Sequence, residues 1–318
     1  MKTGVGRNRV IVIWALIQFL FLRGLPGATN VNANGDALPS SPAEGEDQAA
    51  ELTKQLANPI ASLISVPFQA NEDFGFGPSH NGYKFTLNFQ PVIPISLGEN
   101  LNLILRTIVP EVSQHDLFYV ENVPKNSPIS PQNRSQDGFS DTTQSFFFGP
   151  KKSGPFGLTW AIGPAFLYPT ATHPLLGTGT FSVGPTFVAL KQDGPWTYGV
   201  LMNQLWSVVI EEDRKSVNQM FLQPFLAYAT ETHTTFTINS ETTANWNTSG
   251  DAKWTIPINL VVSQLLKIGK QPIQIAVGGR YYADSPRYGP DWGARFVVTL
   301  IYPTGKKPEP IEQTGFSK

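Results

Sequence analysis

The stretch YKFTLNFQPVIPIS, Tyr83–Ser96, decides which fold we predict for this chain. Every second residue is apolar, and the residues between them are mostly polar. The apolar set is Tyr83, Phe85, Leu87, Phe89, Pro91, Ile93 and Ile95, and the polar set is Lys84, Thr86, Asn88 and Gln90. A side-chain period of two indicates a β-strand. The stretch is much longer than the five or six residues that are usual in soluble proteins, so it predicts a strand with lipid outside and water inside.

The composition of the chain favours a membrane protein with many turns. Charged residues make up 15% of the 318 residues, against about 25% in soluble domains. The net charge of -1 gives no basic surface of the kind that nucleic-acid binding requires. The 28 Gly and 27 Pro indicate turns, and the absence of Cys excludes disulfides, zinc–cysteine sites and thiol catalysis.

The N-terminus has the pattern of a secretory signal peptide, which we assign to residues 1–33. Lys2, Arg7 and Arg9 precede an apolar run from Val10 to Leu22, too short to span a bilayer comfortably. Cleavage after Ala33 is preferred to cleavage after Ala28, and an uncleaved anchor is the alternative. The mature protein is therefore expected to pass through the periplasm to the outer membrane.

We predict four segments along the chain. Residues 34–58, after the signal peptide, form a flexible lead-in with one short periplasmic helix, Asp47–Leu56, which ends before Asn58-Pro59. This helix either rests against the near end of a barrel or enters its mouth. Residues 59–303 form the barrel, and residues 304–318 form a C-terminal tail.

Strand-like segments follow one another from Ile60 onward and predict an all-β transmembrane up-and-down antiparallel barrel of about 12 strands. The predicted strands are 60–71, 83–97, 101–113, 141–150, 156–169, 180–192, 196–210, 217–230, 233–246, 253–267, 273–284 and 292–303. Short connections alternate with longer ones, of which 114–140 is the longest, as in outer-membrane barrels. A soluble β-sandwich is the alternative, but it would have shorter strands and a more charged outer face.

Two groups of residues qualify this interpretation. Aromatic residues lie near strand ends, as expected at the two membrane interfaces: Trp196, Trp246, Trp254, Trp292 and Tyr302. Seven prolines lie inside predicted strands, where each removes a ladder hydrogen bond: Pro91, Pro94, Pro150, Pro164, Pro185, Pro224 and Pro257. Our hypothesis is that bulges or inward kinks at a shared depth accommodate them.

Several long motifs resemble a known bacterial family. They include NFQPVIPISLGENLNLILRTIVP (Asn88–Pro110), GPAFLYPTAT (Gly163–Thr172) and GGRYYADSPRYGPDWGARFVVTLIYP (Gly278–Pro303). They are similar to the outer-membrane β-barrel proteins grouped under a meta-pathway of phenol degradation, often labelled "transporter" or "neuromedin U". The resemblance runs from about Leu52 to Pro303. It implies an outer-membrane barrel with a role in the passage of small compounds, aromatic ones among them, and supplies no catalytic residues.

The sequence gives little support for enzyme chemistry. The four histidines, His80, His115, His173 and His233, are not spaced as metal ligands, and no nucleophile motif is present. An outer-membrane hydrolase would need a site such as His115-Asp116 with Asp141, which we interpret as solvated loop residues. We therefore predict that the protein is not an enzyme and has no catalytic, metal or cofactor site.

The polar faces of the predicted strands provide the candidate lumen and selectivity residues. These are Lys84, Asn88, Gln90, Arg106, Asn239, Glu241, Arg280 and Arg295. An arginine in a water-filled lumen either pairs with a carboxylate such as Glu241 or lines a constriction that selects solutes. Because 12 strands lie between side-chain-filled and open barrels, we expect a narrow, partly obstructed lumen.

The leading functional prediction is a transporter or channel for small solutes, aromatic or hydrophobic ones among them, by passive passage through a narrow polar lumen. The alternative is a structural or surface barrel whose lumen is plugged. The expected partners are outer-membrane lipid, a small-molecule solute and the general barrel-assembly machinery, without nucleic acid.

Overall fold

The computed structural model describes residues 42–117 and 135–303. The signal peptide, the first part of the lead-in, most of the 114–140 connection and the C-terminal tail lie outside these residues. In the described part, one α-helix, α1 (Pro42–Leu56), precedes an antiparallel sheet that closes on itself. The predicted helix is confirmed and begins five residues earlier than expected. No helix among the described residues is long and apolar enough to cross a membrane.

The sheet is a closed barrel of 12 strands in sequence order, as predicted. Three strands are interrupted for one or two residues, but both parts of each pair with the same neighbouring strand. The strands are β1 (Ile64–Phe76), β2 (Gly82–Phe89 and Val92–Leu97), β3 (Leu101–His115), β4 (Ser135–Phe139 and Thr142–Pro150), β5 (Leu158–Tyr168), β6 (Thr180–Asp193), β7 (Trp196–Ile210), β8 (Asn218–Ala229), β9 (Thr234–Ser240 and Thr242–Asn245), β10 (Trp254–Ile268), β11 (Gln271–Asp284) and β12 (Trp292–Tyr302). Strands β1 and β12 pair from Ile64 and Tyr302 to Phe74 and Trp292, which closes the barrel.

The two ends of the barrel differ in their connections. We call the end with Ile64 and Tyr302 the turn end, because short connections such as 98–100 and 269–270 lie there. The opposite end is the loop end, where the connections 169–179, 211–217 and 285–291 are longer. Short and long connections therefore alternate as the sequence predicts.

Two strands differ from the prediction by more than two residues, and the others agree with it within two residues at each end. Strand β1 begins at Ile64 and not at residue 60, because Asn58 accepts hydrogen bonds from the backbone N–H groups of Ile60 and Ala61 and so holds a turn there. Strand β4 includes Ser135–Phe139, where the sequence predicts a loop. These polar residues extend the hairpin because they pair with β3, and Gln114 Nε2 donates to Gln136 Oε1 at 2.9 Å.

The outer face of the barrel is apolar over the middle of the strands. In β2, Phe89, Ile93 and Ile95 are exposed on this face, as the alternation predicts. Aromatic side chains mark both ends: Trp196 packs on Tyr228 at the turn end, and Phe74 stacks on Trp292 at the loop end. An exposed apolar face between aromatic belts is the surface that a protein presents to a bilayer.

Of the bulges that the proline hypothesis predicts, the structure places one at Pro257 and none at the other six prolines, so this part of the hypothesis is wrong for those six. Pro257 lies at a register shift between β10 and β11. At Pro91 the ladder is interrupted but the register continues unchanged on both sides, and Pro94 pairs with Ile104 without interruption. Pro150 lies at the end of β4, opposite Leu101.

The remaining prolines lie within β5, β6 and β8. Pro164 and Pro185 are direct cross-strand partners, and Pro224 pairs with Val200. On its other side each of these prolines lies in a two-residue interruption of the ladder, at 163–164, 184–185 and 223–224, and the register is the same before and after the interruption. A strand residue directs its N–H to one neighbour only, so the loss is confined to one side of the strand and requires no bulge.

Candidate functional site

The barrel interior has two chemically different regions. In the turn-end half, an apolar cluster of inward side chains is almost completely buried: Ile104, Phe147, Ala161, Val188, Leu190 and Leu201, joined by Ile60 from the segment before β1. In the loop-end half, charged and amide side chains face inward from β9 around to β3. The candidate site is this charged half.

The most tightly held charges are those of Arg295 on β12 and of Glu241, which lies between the two parts of β9. Arg295 Nη1 donates to Glu241 Oε1 at 2.9 Å, and Nη2 donates to Oε2 at 2.7 Å. Its Nε donates to Asn71 Oδ1 at 2.7 Å. The Arg295 side chain is only 4% exposed. This forked, charge-assisted contact is the strong kind of ion pair, and it bridges the interior across β10 and β11.

Arg280 on β11 lies beside this pair but is held more loosely. Its Nη2 is 3.5 Å from Glu241 Oε2, and its Nη1 is 3.4 Å from Asp73 Oδ2. Both separations exceed the 2.7–2.9 Å of a good charge-assisted hydrogen bond. The Arg280 Nε is buried and has no hydrogen-bond partner among the described residues. Arg280 therefore keeps donor capacity that its protein contacts do not use.

Lys84 on β2 borders a cavity of about 420 Å³ inside the loop end. Lys84 is the direct cross-strand partner of Asp73, yet their charged atoms do not come within ion-pair distance. The cavity is lined by Gln69, Asn71, Asp73, Phe76, Lys84, Thr86, Asn88, Glu241, Thr255, Arg280, Tyr282, Pro286, Gly289 and Pro290. Its wall thus combines charges, amides and a few apolar groups.

The other predicted lumen residues lie around the same interior. Arg106 Nη2 donates to Gln90 Oε1 at 3.1 Å, and this neutral amide is its hydrogen-bond partner. Asn259 Nδ2 donates to Asn239 Oδ1 at 2.8 Å. Of the eight predicted residues, Lys84, Asn88, Glu241 and Arg280 line the cavity, and Arg295 contacts it through Glu241.

Each of the two arginines lies directly opposite a glycine on the neighbouring strand. Arg295 is opposite Gly278 on β11, and Arg280 is opposite Gly293 on β12. A Cβ at position 278 would come within 2.5 Å of the carbonyl oxygen of Leu260, so this glycine allows a close approach of the β10 backbone. A Cβ at position 293 would come within 2.3 Å of Asp73 Oδ1, so this glycine is also required for the close approach of Asp73.

The sequence prediction omits three contributors to the site: Asn71, Asp73 and Tyr282. The predicted first strand ends at residue 71, which leaves Asp73 in a loop. The signal that reveals this inward face is the alternation of Gln69, Asn71 and Asp73 with their neighbours Ala70, Glu72 and Phe74. Glu72 obscures the contrast between the polar inner face and the apolar outer face of this strand, because it places a charge on the outer face.

The turn end is covered by the segment before β1. The α1 residues Ala49, Leu52 and Leu56 pack on a buried group of Ala61, Leu63, Leu265 and Ile301. Gln192 Nε2 donates to the carbonyl oxygen of Lys54 at 2.8 Å. Ile60 continues inward and joins the apolar cluster, where it is 6% exposed.

The residues considered for enzyme chemistry have structural contacts at the loop end. His80 Nδ1 lies 2.9 Å from Asp291 Oδ2 and joins two connections that border the cavity. His115 Nδ1 lies 3.1 Å from Asp116 Oδ2, and its ring stacks on Tyr83. Asp141 is buried, so its interpretation as a solvated loop residue is wrong, and it accepts hydrogen bonds from the backbone N–H and hydroxyl of Thr178. Within residues 42–117 and 135–303, no group of three or more His, Asp or Glu side chains is placed to hold a metal ion.

Comparison of the folded chain with solved structures identifies its structural class. An outer-membrane channel from Pseudomonas putida F1 aligns over 76% of this chain and 96% of its own, with a TM-score of 0.55 at 11% identity. The protein has the fold of an outer-membrane β-barrel. In barrels of this class the end with the longer loops is extracellular and the end with the short turns is periplasmic, which corresponds here to the loop end and the turn end with α1.

Two more distant outer-membrane β-barrels were also found. Outer-membrane phospholipase A from Escherichia coli covers 80% of this chain and 98% of its own, with a TM-score of 0.45 at 12% identity. A Pseudomonas aeruginosa FadL homologue covers 76% of this chain and 89% of its own, with a TM-score of 0.36 at 9% identity. No family model and no curated protein matches the sequence, so the resemblance to the phenol-degradation family stays a prediction.

Proposed function

We propose that this outer-membrane β-barrel is a passive channel for small solutes and not an enzyme. The observation that carries the proposal is the polar cavity of about 420 Å³ inside the extracellular half of the barrel. A barrel with a purely structural role gains nothing from placing four arginine and lysine side chains on its inner face, because buried charges are costly. In a water-filled passage such charges are hydrated and can select solutes.

The passage that we propose has two stages. A solute first enters the extracellular cavity beside Lys84 and Arg280, and then passes the apolar cluster around Ile104 and Ile60. Such a cluster acts as a hydrophobic constriction, which slows the passage of ions more than that of small neutral solutes. An aromatic or hydrophobic solute of the kind implied by the family resemblance would cross this apolar stage more easily than an ion.

Charge reversal of Arg106 tests whether ions travel through the interior. The Arg106→Glu variant changes the lumen charge by two units, so single-channel conductance and ion selectivity should both change in planar bilayers. The matched control is Lys267→Glu, which makes the same charge change at an exposed residue near the periplasmic turn. A conductance that responds equally to both variants would contradict passage through the lumen.

A plugged structural barrel is the second candidate, and one observation favours it. Helix α1 and the following residues cover the periplasmic end, and Ile60 fills space within the apolar cluster. Under this alternative the segment 57–63 is a permanent plug. Under the channel proposal, the path for solutes is narrowest beside the segment 57–63. Solutes pass there either because the segment moves or because the space beside it is wide enough.

Export and membrane insertion complete the proposal. The signal peptide directs the chain to the periplasm, and the general barrel-assembly machinery inserts it into the outer membrane. Outer-membrane lipid is the proposed partner of the apolar outer face, with Phe89, Ile93 and Ile95 among its contacts.

A further inference from the structure

We propose that the extracellular cavity binds a small organic anion, specifically a carboxylate attached to a compact apolar group, with its charge between Lys84 and Arg280. The inference rests on the proposed channel function and deepens it, since it names the class of solute that the same cavity takes. Binding of this anion can be measured whether or not the barrel conducts.

The interior carries an excess of positive charge. Four cations, Lys84, Arg106, Arg280 and Arg295, share this region with the two carboxylates of Asp73 and Glu241. Glu241 is engaged by the forked contact with Arg295. The charges of these six groups sum to two positive units, so an anion entering the cavity is attracted and a cation is repelled.

The cations at the cavity wall also have unused binding capacity. Lys84 makes no ion pair within 4.0 Å among the described residues, although Asp73 is directly opposite on β1. Arg280 makes its carboxylate contacts at 3.4 Å and 3.5 Å only. A carboxylate ligand at this wall would supply the close acceptor that both side chains lack.

The carboxylates, in contrast, offer little to a cationic ligand. Glu241 uses both oxygens on Arg295, and Asp73 Oδ2 faces Arg280. The other oxygen, Asp73 Oδ1, has no hydrogen-bond partner among the described residues, but it is buried against Gly293 and so is not accessible to a ligand in the cavity. An ammonium group would thus have to displace an arginine contact before it could bind.

The size and lining of the cavity suit a ligand with one apolar part. Phe76, Tyr282, Pro286 and Pro290 supply apolar surface beside the two cations. Further hydrogen-bonding groups that can orient a solute come from Asn71, Asn88 and Thr86. A volume of about 420 Å³ is at the small end of the range for ligand sites and suits a single-ring carboxylate.

Calorimetric titration of the folded full-length mature protein in detergent micelles tests the proposal, with benzoate as the probe. Benzyl alcohol and benzylamine are neutral and cationic compounds of similar size, and empty micelles give the background heat. Benzoate should bind saturably and at least about tenfold more tightly than either analogue, as expected for a charged hydrogen bond. Equal affinities for the three compounds, or no saturable binding of benzoate, would overturn the proposal.

Variants at Lys84 locate the site. Lys84→Met should weaken benzoate binding about tenfold or more, while Lys84→Arg should retain it, because only the first removes the cation. Lys267→Met is the control, since it removes a lysine outside the lumen. Unchanged benzoate affinity in folded Lys84→Met would overturn the assignment. If Lys84→Met does not fold, Lys84→Gln removes the same cation with a polar side chain and should weaken benzoate binding as strongly, and unchanged affinity in that variant would overturn the assignment.

The outcomes separate this inference from the channel proposal. Selective benzoate binding by a barrel without conductance would support the anion site and contradict the channel. Conductance together with equal affinity for benzoate and benzyl alcohol would support the channel and overturn the anion site.

Discussion

Replacing Arg295 by methionine is expected to lower the free energy of unfolding by about 3–5 kcal/mol, the usual cost of leaving one member of a buried ion pair unpaired. Arg295 uses three nitrogen atoms on Glu241 and Asn71, and it is almost inaccessible. Its removal leaves Glu241 with only the longer contact to Arg280. Reversible urea unfolding in detergent micelles, followed by tryptophan fluorescence, measures the change.

The Lys191–Asp193 pair provides the matched control for this variant. Its charged atoms are 3.8 Å apart, and the side chains are 36% and 69% exposed. Lys191→Met should therefore change stability by less than about 1 kcal/mol. If Arg295→Met were equally harmless, Glu241 and Arg295 would not form the bridge across the interior that the structure shows.

Replacing Gly163 by alanine is expected to destabilise the barrel by about 3 kcal/mol or to prevent folding, because an added methyl group would have no space. A Cβ at position 163 would lie 1.8 Å from the carbonyl oxygen of Phe146 on the neighbouring strand. Backbone on both sides fixes this distance, so no side-chain rotation can relieve the contact. The yield of refolded barrel and its urea midpoint measure the effect.

Gly279→Ala is the control for the glycine prediction. This glycine also lies within a strand, but an added Cβ would meet no atom of the protein within 4 Å. The substitution should be neutral or stabilising by up to about 1 kcal/mol, since alanine loses less conformational freedom on folding. Equal losses in both variants would show that the close approach at Gly163 is not what limits stability.

The fold could be predicted from the sequence because one physical requirement is repeated along the chain. A strand between lipid and water must alternate, as Tyr83–Ser96 does, and the same alternation recurs in β10 and β12. Alternating connection lengths then indicate the number of strands and the two ends of the barrel. These signals are local, so a single sequence contains them.

The site could be predicted only in part because its contacts join distant positions. Alternation places Arg295 and Glu241 on the inner face, but their pairing across β10 and β11 depends on the curvature of the barrel, which no local pattern specifies. Asp73 escapes the prediction because Glu72 interrupts the contrast between the two faces of β1. The inward course of Ile60 also has no periodic signal, since it follows from the turn at Asn58.

The prolines show that a missing donor has only a local effect on a ladder. Proline lacks one backbone N–H and so removes one donor from the ladder. A bulge would be needed to accommodate it only if this loss disturbed the pairing of the whole strand. In β5 and β6, Pro164 and Pro185 face each other with the register intact, and the adjoining glycines at 163 and 184 let neighbouring backbones approach closely. Between β5 and β6 the Gly-Pro pairs are therefore accommodated without a bulge, while the register shift of β6 against β7 lies at Phe181 and Ser182.

Passage of solutes through this barrel is tested most directly by solute-driven swelling of liposomes that contain the folded protein. Liposomes with the wild type should swell faster than protein-free liposomes in a small neutral sugar. Those with Ile60→Ala should swell faster still, because the variant shortens the side chain that fills the periplasmic constriction. Swelling indistinguishable from that of protein-free liposomes for both proteins would contradict the channel and leave the plugged barrel as the better description.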